Sequence, residues 1–340
     1  MDYYAGIDVS LEASSVCVVD ASGKIVKEAK LSSEPEALIA WFKGLPFGLA
    51  RIGFEAGPLS QWLHAGLKKA GFAVELLETR HVRDAFKAMP VKTDRNDARG
   101  IAQLMRLGWF RPVHCKSVPA QETRAVLTAR KLVQGKLYDI EMSLRGILRG
   151  FGLKVGRTTK AGFAGRIREL TEHHPALKAI AKALLAVHEV LLKELNGFEK
   201  QVRKLARSDS RVRLLMTAPG VGVIVGLTYV AVIDDPARFS SSKSVGAHFG
   251  MTPRKYQSGE TDVSGRISKI GDGGVRTAVY EAANVILTRP VKGCTSLKSW
   301  AMKLAKRAGM QKAKVALARK LTVIMHKMLA DGTTFTNRPA

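Results

Sequence analysis

Four acidic residues in the first third of the chain have the spacing of a carboxylate metal site. Asp8 and Glu55 each follow a short apolar run, while Asp94 and Asp97 stand three residues apart. Three-residue spacing on a helix places both side chains on one face. Gathered carboxylates repel one another unless a divalent cation neutralises them, and hard oxygen ligands favour Mg²⁺ or Mn²⁺. The four acids therefore form a predicted metal site of a kind that supports phosphodiester chemistry.

A second candidate for chemistry is a segment rich in glycine, serine and basic residues, 249–276. Its small residues would let the backbone approach phosphate, and its cations would supply counter-charge. Those cations are Arg254, Lys255, Arg266, Lys269 and Arg276. A serine hydroxyl there could attack phosphorus once a base or a metal removes its proton. The residues alone do not choose among Ser258, Ser264 and Ser268, and a segment that only grips phosphate fits the same pattern.

A glycine turn between apolar helical runs, Ala218-Pro219-Gly220-Val221-Gly222, resembles a helix-hairpin-helix element. Backbone N–H groups at such a turn can contact phosphate, so Gly220 and Gly222 are candidate nucleic-acid contacts. A plain tight turn is the alternative. The uncharged run Leu214–Ile233 is long enough to span a bilayer. Its glycines, and the Asp234-Asp235-Pro236 that follows, favour a glycine hairpin and a buried helix, so no membrane partner is expected.

The elements that must position the acids alternate between strand and helix. The predicted strands are Tyr3–Asp8, Ser15–Asp20, Ile25–Lys30, Arg51–Glu55 and Ala73–Leu77. The predicted helices are Glu34–Lys43, Leu59–Ala70 and Thr93–Leu107, the last with Thr93 as N-cap. A three-stranded meander followed by helix, strand, helix and strand is typical of a ribonuclease-H-like α/β layer. If the strands that end at Asp8 and Glu55 are neighbours, the acids meet at one end of the sheet.

The rest of the chain is predicted to be mainly helical. Two long periodic stretches, Val118–Gly150 and Pro175–Ser208, flank a basic loop at Gly152–Gly165. They predict an antiparallel coiled-coil arm, with an ordinary helical bundle as the alternative. A further segment begins near Arg211. These boundaries divide the chain into three predicted domains, 1–112, 113–210 and 211–335.

The distribution of charge indicates a polyanionic partner. The chain has 340 residues, with 55 Lys and Arg against 29 Asp and Glu. Residues 1–112 hold 15 basic and 13 acidic residues, a net charge of +2, and residues 113–340 hold the other 40 and 16, a net charge of +24. We therefore expect the larger part of the chain to hold nucleic acid. A ribosome-like or membrane-surface basic protein is the alternative.

Composition narrows the class of protein. A hydrophobic content of 46% and a charged content of 25% exclude wholesale disorder. Cys17, Cys115 and Cys294 are too few and too scattered for a disulfide framework or a zinc site. The chain does not open on a charged and then apolar leader, so we expect a cytoplasmic, nucleoid-associated protein.

The acidic motifs resemble the DEDD signature of the insertion-sequence "one-ten" transposases. The matching N-terminal motifs are Gly6-Ile7-Asp8-Val9-Ser10, Phe54-Glu55-Ala56-Gly57 and Lys92-Thr93-Asp94-Arg95-Asn96-Asp97-Ala98. The matching C-terminal motifs are Pro219-Gly220-Val221-Gly222, Gly250-Met251-Thr252-Pro253, Ser258-Gly259, Ile267-Ser268-Lys269-Ile270-Gly271-Asp272 and Arg276. The resemblance covers nearly the whole chain in the right order, and its motifs are specific jointly and weak singly.

The resemblance implies a RuvC-like N-terminal domain, a coiled-coil middle and a C-terminal transposase domain. It implies a recombinase that excises and inserts a bacterial insertion sequence, guided by a structured noncoding (bridge) RNA. The family's metal-binding acids fall on Asp8, Glu55, Asp94 and Asp97, and its nucleophilic serine falls on Ser258. Ser258 would then attack a DNA phosphodiester with Mg²⁺ held by the acids. The active species would be a homo-oligomer, a dimer or a tetramer, whose acids and serine could meet across subunits.

Three other functions compete with this prediction. A metal-dependent junction-resolving nuclease would use water and no serine. A non-catalytic nucleic-acid scaffold would use the acids only as caps and turn residues. An actin-like or sugar kinase could begin with a strand such as Gly6–Ser10, but that fold needs a second lobe with its own glycine-rich phosphate loop, which the sequence does not show.

Overall fold

The first of two structural units, Met1–Lys116, is built on a five-stranded sheet. The second unit is Ser117–Ala340. The computed structural model describes residues 1–88, 91–293 and 295–337, so Cys294, counted above, lies outside the described residues.

The strand order of the sheet is β3-β2-β1-β4-β5. The strands are β1 (Tyr3–Asp8), β2 (Ala13–Asp20), β3 (Ile25–Ser32), β4 (Leu49–Glu55) and β5 (Val74–Leu77). The first three pair antiparallel as a meander, whereas β1, β4 and β5 run parallel. The mixed α/β character predicted for this part of the chain is confirmed, and the two strands that end in acids are neighbours.

Helices cover both faces of this sheet. They are α1 (Pro35–Lys43), α2 (Ser60–Lys69), α3 (Thr79–Ala85) with a following 3-10 turn (Phe86–Ala88), and α4 (Asp94–Leu107). Alternate strand residues point to opposite faces. Ile7 and Phe54 therefore pack with Leu38 and Leu63 of α1 and α2, while the opposite face carries α4. The sequence patterns predicted α1, α2 and α4 but not the short helix α3.

Two long helices begin the second unit, α5 (Val118–Gly150) and α7 (Pro175–Ser208). An ion pair joins Arg130 to Glu199, and a hydrogen bond joins His188 to Glu141. The partners' residue numbers rise along α5 as they fall along α7. The two helices are therefore antiparallel. A third helix, α6 (Phe163–Thr171), begins inside the predicted glycine-rich loop and packs between their ends.

The last part of the second unit is mainly helical, as predicted. Its helices are α8 (Ser210–Leu215), α9 (Val223–Ile233), α10 (Ser244–His248), α11 (Gly273–Thr288), α12 (Thr295–Ala308) and α13 (Met310–Asp331), with a 3-10 turn at Pro236–Arg238. A hairpin of β6 (Pro253–Ser258) and β7 (Thr261–Ile267) interrupts them. The core surrounds α9, where the buried hydroxyl of Tyr229 donates to the Thr322 carbonyl at 2.6 Å.

The uncharged run 214–233 is not one long helix. It holds the end of α8, a glycine turn and the buried helix α9, as the positions of its glycines predicted. Across the described part of the chain, every helix is too short or too polar to cross a bilayer.

Candidate active site

Asp8 and Glu55 end two adjacent parallel strands. In the register of β1 and β4, Ile7 lies opposite Phe54, so the next residue of each strand is an acid. The carboxyl ends of adjacent parallel strands lie at the same edge of a sheet. Both side chains are half-buried there. The fold thus brings together two acids that lie far apart in the sequence.

Helix α4 carries the other two acids across the same edge. Its N-cap is Thr93, whose hydroxyl accepts from the Asn96 N–H at 3.2 Å, as predicted. Asp97 lies half-buried, one turn after the exposed Asp94. The helix packs closely on the sheet because Gly6 of β1 has no side chain to keep it away.

A carboxylate on β3 fixes the start of α4. Glu28 accepts hydrogen bonds from the guanidinium groups of Arg95 and Arg99, and Arg99 nitrogens lie 2.7 and 3.0 Å from its two oxygens. These hydrogen bonds hold the pKa of Glu28 at about 2, so it stays ionised. No sequence spacing indicated Glu28, because the contact joins residues about 70 positions apart. Two arginines four residues apart beside the acidic pair were the one available signal.

The acids influence one another electrostatically. The pKa of Asp8 is raised from 3.8 to about 6. The largest cause is burial, and the negative charges of Asp97 and Asp94 contribute the rest of the increase. Burial, then Asp8 and Asp97, raise the pKa of Glu55 as well. Lys92 opposes both shifts with its positive charge. No role for Lys92 was predicted from the sequence, although this residue immediately precedes the N-cap of α4.

These acids match a divalent cation in donor type and in charge. Hard carboxylate oxygens are the ligands of Mg²⁺ and Mn²⁺. The raised pKa values reflect burial first and repulsion between the acids second, and a cation would offset both by stabilising the ionised carboxylates. Their side chains do not form a ready-made coordination site. Within residues 1–88, 91–293 and 295–337, no three His, Cys, Asp or Glu side chains are close enough to hold one metal ion. The edge therefore gathers the predicted ligands in an open arrangement.

Ser258 lies in the second unit, at the end of an exposed β-hairpin. It is the last residue of β6 and pairs with Thr261, the first residue of β7. Between them Gly259 has a φ of +55°, the sign that the tight turns of hairpins require. Ser264 pairs with Lys255 lower on the hairpin, and Ser268 follows β7. The glycine-rich and basic segment therefore contains a two-stranded ribbon, with Ser258 at its tip.

The base of the hairpin is held by Arg276 on α11. Its Nη1 nitrogen donates to the carbonyls of Phe249, Ile270 and Gly271 at 3.1, 3.0 and 3.0 Å. A β-carbon on Gly250 would stand 2.1 Å from the Ile270 carbonyl oxygen, so the backbone before β6 is in direct contact with the backbone after β7. Of the five predicted phosphate-binding cations, Arg276 thus has one guanidinium nitrogen committed to three backbone carbonyls. The exposed Arg254 donates to the Ser268 carbonyl at 3.3 Å, and Lys255, Arg266 and Lys269 are also exposed on or beside the hairpin.

The two glycines of the predicted helix-hairpin-helix differ in their surroundings. Gly220 has a φ of +75°, and a β-carbon there would stand 2.7 Å from the Ala282 carbonyl of α11. Packing alone therefore requires glycine at 220. Gly222 has open space around it and precedes α9 at the wall of a cavity of about 650 Å³. Lys292 and Asn337 also line this cavity, which leaves room for an anion beside Gly222.

Two family models match the chain. One is described as "Transposase" under the name DEDD_Tnp_IS110, and it matches residues 5–152, which include all four acids. The other is described as "Transposase IS116/IS110/IS902 family", and it matches residues 212–294, which include the hairpin and its base. The two matches follow one another along the chain in the order that the sequence motifs predicted.

Proteins from several bacteria are similar to the chain over most of its length. The "Transposase for insertion sequence element IS1111A" of Coxiella burnetii is 28% identical over 97% of this chain and 90% of its own. The "Probable family 20 transposase" of Pseudomonas aeruginosa is 24% identical over 97% of each chain. The "Transposase for insertion sequence element IS1328" of Yersinia enterocolitica is 25% identical over 84% of this chain and 85% of its own.

Proposed function

The chain belongs to the IS116/IS110/IS902 family of transposases, and from this premise we propose that it cuts and rejoins DNA with a serine nucleophile and a carboxylate-bound metal. Membership implies DNA binding and DNA cleavage with rejoining. The observation that carries the finer proposal is the convergence of Asp8 and Glu55 at one sheet edge beneath α4. The strand order β3-β2-β1-β4-β5 supports a RuvC-like fold for this domain.

The metal ligands in this proposal are Asp8, Glu55, Asp94 and Asp97. Their donor type and mutual repulsion support a divalent cation, with Mg²⁺ as the proposed ion and Mn²⁺ as a substitute. When bound, such an ion would stabilise negative charge on a phosphate. The chain's own residues set the geometry of these ligands. Glu28 holds the start of α4 through hydrogen bonds, and Gly6 allows the helix to lie close to the sheet. Lys92 supplies a positive charge beside the acids.

Ser258 is the proposed nucleophile. Its Oγ forms a bond to phosphorus while the bond from phosphorus to one ester oxygen breaks, and the serine proton ends on the hydroxyl that leaves. The product is a phosphoserine link to one DNA end, which a new DNA hydroxyl can attack to reseal the backbone. The exposure of Ser258 at the hairpin tip supports access to a phosphodiester. Arg254, Lys255, Arg266 and Lys269 on or beside the hairpin, and Gly222 at the α9 turn, support phosphate binding to this part of the chain.

The test is the covalent protein–DNA adduct. DNA that carries the end of the element encoding this chain is incubated with the protein and MgCl₂, then separated under denaturing conditions. Ser258→Ala should abolish the adduct and leave DNA binding intact, whereas the matched Ser264→Ala on the same hairpin should retain it. An adduct that persists in Ser258→Ala would assign the nucleophile elsewhere. Hydrolysed DNA ends without an adduct would identify a water-using nuclease instead.

We also propose that a structured noncoding RNA guides the reaction. The net charge of +24 on residues 113–340 supports contact with a polyanion, of which RNA is one. Purifying the protein with its bound nucleic acid and sequencing that material tests this point. One discrete RNA encoded beside the gene supports guidance, while random fragments contradict it.

We assign the proposed roles to the three predicted domains, 1–112, 113–210 and 211–335. The antiparallel pair α5 and α7 supports a coiled-coil arm in the middle domain that joins subunits into a dimer or tetramer. Light scattering on the purified protein tests this. A monomer at all concentrations, with and without DNA, would contradict the oligomer.

A further inference from the structure

The hairpin that carries Ser258 has an unusual aromatic side chain on its surface. Tyr256 is 67% exposed and its cross-strand partner Val263 is 56% exposed. Every residue of β6 is exposed, so the ribbon has no hydrophobic face packed on the body of the unit. Two large apolar side chains therefore face solvent side by side on this ribbon, where a binding partner can contact them.

Strand alternation shows which residues share a face with the serine. Residues two apart on a strand point to the same side, and cross-strand partners do too. One face therefore carries Tyr256, Ser258, Thr261 and Val263. The opposite face carries Lys255, Gln257, Asp262 and Ser264. The ion pair between Lys255 and Asp262, at 3.0 Å, confirms that those two side chains point the same way.

The spacing between the aromatic ring and the hydroxyl suits one nucleotide. Two residues along a strand separate side chains by about 7 Å, which is comparable with the size of a nucleotide. A phosphodiester at Ser258 would place an adjoining base beside Tyr256. Arg254 stands two residues before Tyr256 on the same strand face, and Arg266 lies on β7 within the stretch where the register with β6 shifts, so cations lie beside the apolar pair.

We propose that Tyr256 stacks on an unpaired DNA base next to the phosphodiester that Ser258 attacks, with Val263 supporting the ring from the neighbouring strand. Stacking on an aromatic side chain accepts any base, because every base has a π-face. The cations at the lower end of the ribbon complement the flanking phosphates. Tyr256 then acts as a positioning residue that sets where the scissile phosphate lies relative to the serine. This inference rests on Ser258 as the nucleophile.

The experiment is a double-mutant cycle between the side chain and the base. Full-length protein with its co-purified nucleic acid forms the covalent adduct in a single turnover on a synthetic duplex carrying the element's end. Tyr256→Ala is expected to slow adduct formation about tenfold, and Tyr256→Phe to keep it within about twofold, because the ring carries the contact. The matched control is Gln257→Ala, on the opposite face of the same strand, which should leave the rate unchanged.

An abasic nucleotide beside the scissile phosphate supplies the second half of the cycle. If Tyr256 stacks on that base, the abasic site slows the wild type, and Tyr256→Ala causes no further loss on abasic DNA. Rates that fall independently, or a Tyr256→Phe variant as slow as Tyr256→Ala, would overturn the proposal.

A binding measurement separates this proposal from the chemistry. In the Ser258→Ala background, DNA carrying 2-aminopurine at the same position should lose fluorescence on binding when Tyr256 is present and keep it in Tyr256→Ala. If Ser258→Ala still forms the adduct, the proposed nucleophile fails, while the fluorescence still reports the stacking. An unchanged fluorescence in both proteins would overturn the stacking alone.

Discussion

Gly6 of β1 lies directly beneath Ala102 of α4: a β-carbon on Gly6 would stand 2.3 Å from the backbone nitrogen of Ala102. Such a contact is with the helix backbone, which has no rotamer to change. The absence of a side chain at position 6 therefore decides how close α4 comes to the sheet. That distance in turn decides whether Asp97 reaches the edge where Asp8 and Glu55 emerge.

The first prediction concerns that contact. Gly6→Ala should lower the free energy of unfolding of the first unit by about 1–3 kcal/mol, because the added methyl group overpacks against a backbone that cannot move aside. Gly53→Ala should cost less, since its nearest atoms belong to the flexible side chain of Met105. Gly48→Ala, with open space around it, is the matched control. Thermal unfolding of the full-length variants measures all three, and equal melting temperatures for Gly6→Ala and Gly48→Ala would contradict the close approach.

The second prediction concerns the contact between β3 and α4. Glu28→Gln keeps the shape of the side chain but removes the charge that faces Arg95 and Arg99, so it should cost about 1–2 kcal/mol of stability. Adduct formation should fall as well, because the first turn of α4 carries two of the proposed metal ligands. Glu28→Gln leaves the proposed ligands in place and only shifts the helix that carries Asp94 and Asp97. Raising the MgCl₂ concentration should therefore restore part of the lost activity.

Acid provides the control for this variant. The pKa of Glu28 is lower in the folded chain than in the unfolded chain, so its stabilising effect is present above its ordinary value of 4.5 and is lost as the pH falls towards about 2. The difference in melting temperature between wild type and Glu28→Gln should therefore shrink in acid. A difference that stays constant with pH would show that the charge does not carry the contact.

Local patterns in the sequence were enough to predict most of the first unit. The short apolar runs that end at Asp8 and Glu55, and the Thr93 N-cap, depend on neighbouring residues only, and each lies where it was predicted. The pairing of β1 with β4 was a condition of the predicted site, and the structure meets it.

Features that depend on distant residues were not predictable in the same way. The hairpin β6–β7 is exposed on both faces, so its strands lack the apolar alternation by which a strand is recognised. Glu28 acts through arginines on another element, and the commitment of Arg276 to loop carbonyls follows from the close contact at Gly250. The open arrangement of the acids also depends on side-chain positions, which their spacing does not determine.

The third prediction concerns the charge of Asp8. Its pKa is raised from 3.8 to about 6 in the folded chain, so the folded state binds more protons than the unfolded state between these values. The contribution of Asp8 to stability therefore falls as the pH rises through that window. Asp8→Asn removes the buried charge and should melt a few degrees above the wild type at about pH 7.5, with the difference vanishing at about pH 4.

A divalent cation should reverse this difference. MgCl₂ at neutral pH is expected to raise the melting temperature of the wild type, because an ion that binds only the folded chain stabilises it. Asp8→Asn should respond less, having lost a proposed ligand. Equal responses of the two proteins to MgCl₂ would place the ion elsewhere.

The fourth prediction distinguishes Arg276, which contacts backbone carbonyls, from Arg266, a proposed phosphate contact. One guanidinium nitrogen of Arg276 donates to three backbone carbonyls at the base of the hairpin, whereas Arg266 is exposed on β7. A residue that neutralises a phosphate contributes about 0.9 to the slope of log affinity against log salt, through the counterions that it releases. Arg266→Ala should therefore reduce the slope by about 0.9, while Arg276→Ala should leave it unchanged and slow adduct formation by loosening the hairpin.

Hydrogen exchange over residues 250–271 should rise in Arg276→Ala and not in Arg266→Ala. If the salt slope of Arg276→Ala falls as far as that of Arg266→Ala, its guanidinium binds phosphate in the complex and the carbonyl contacts are not its main role.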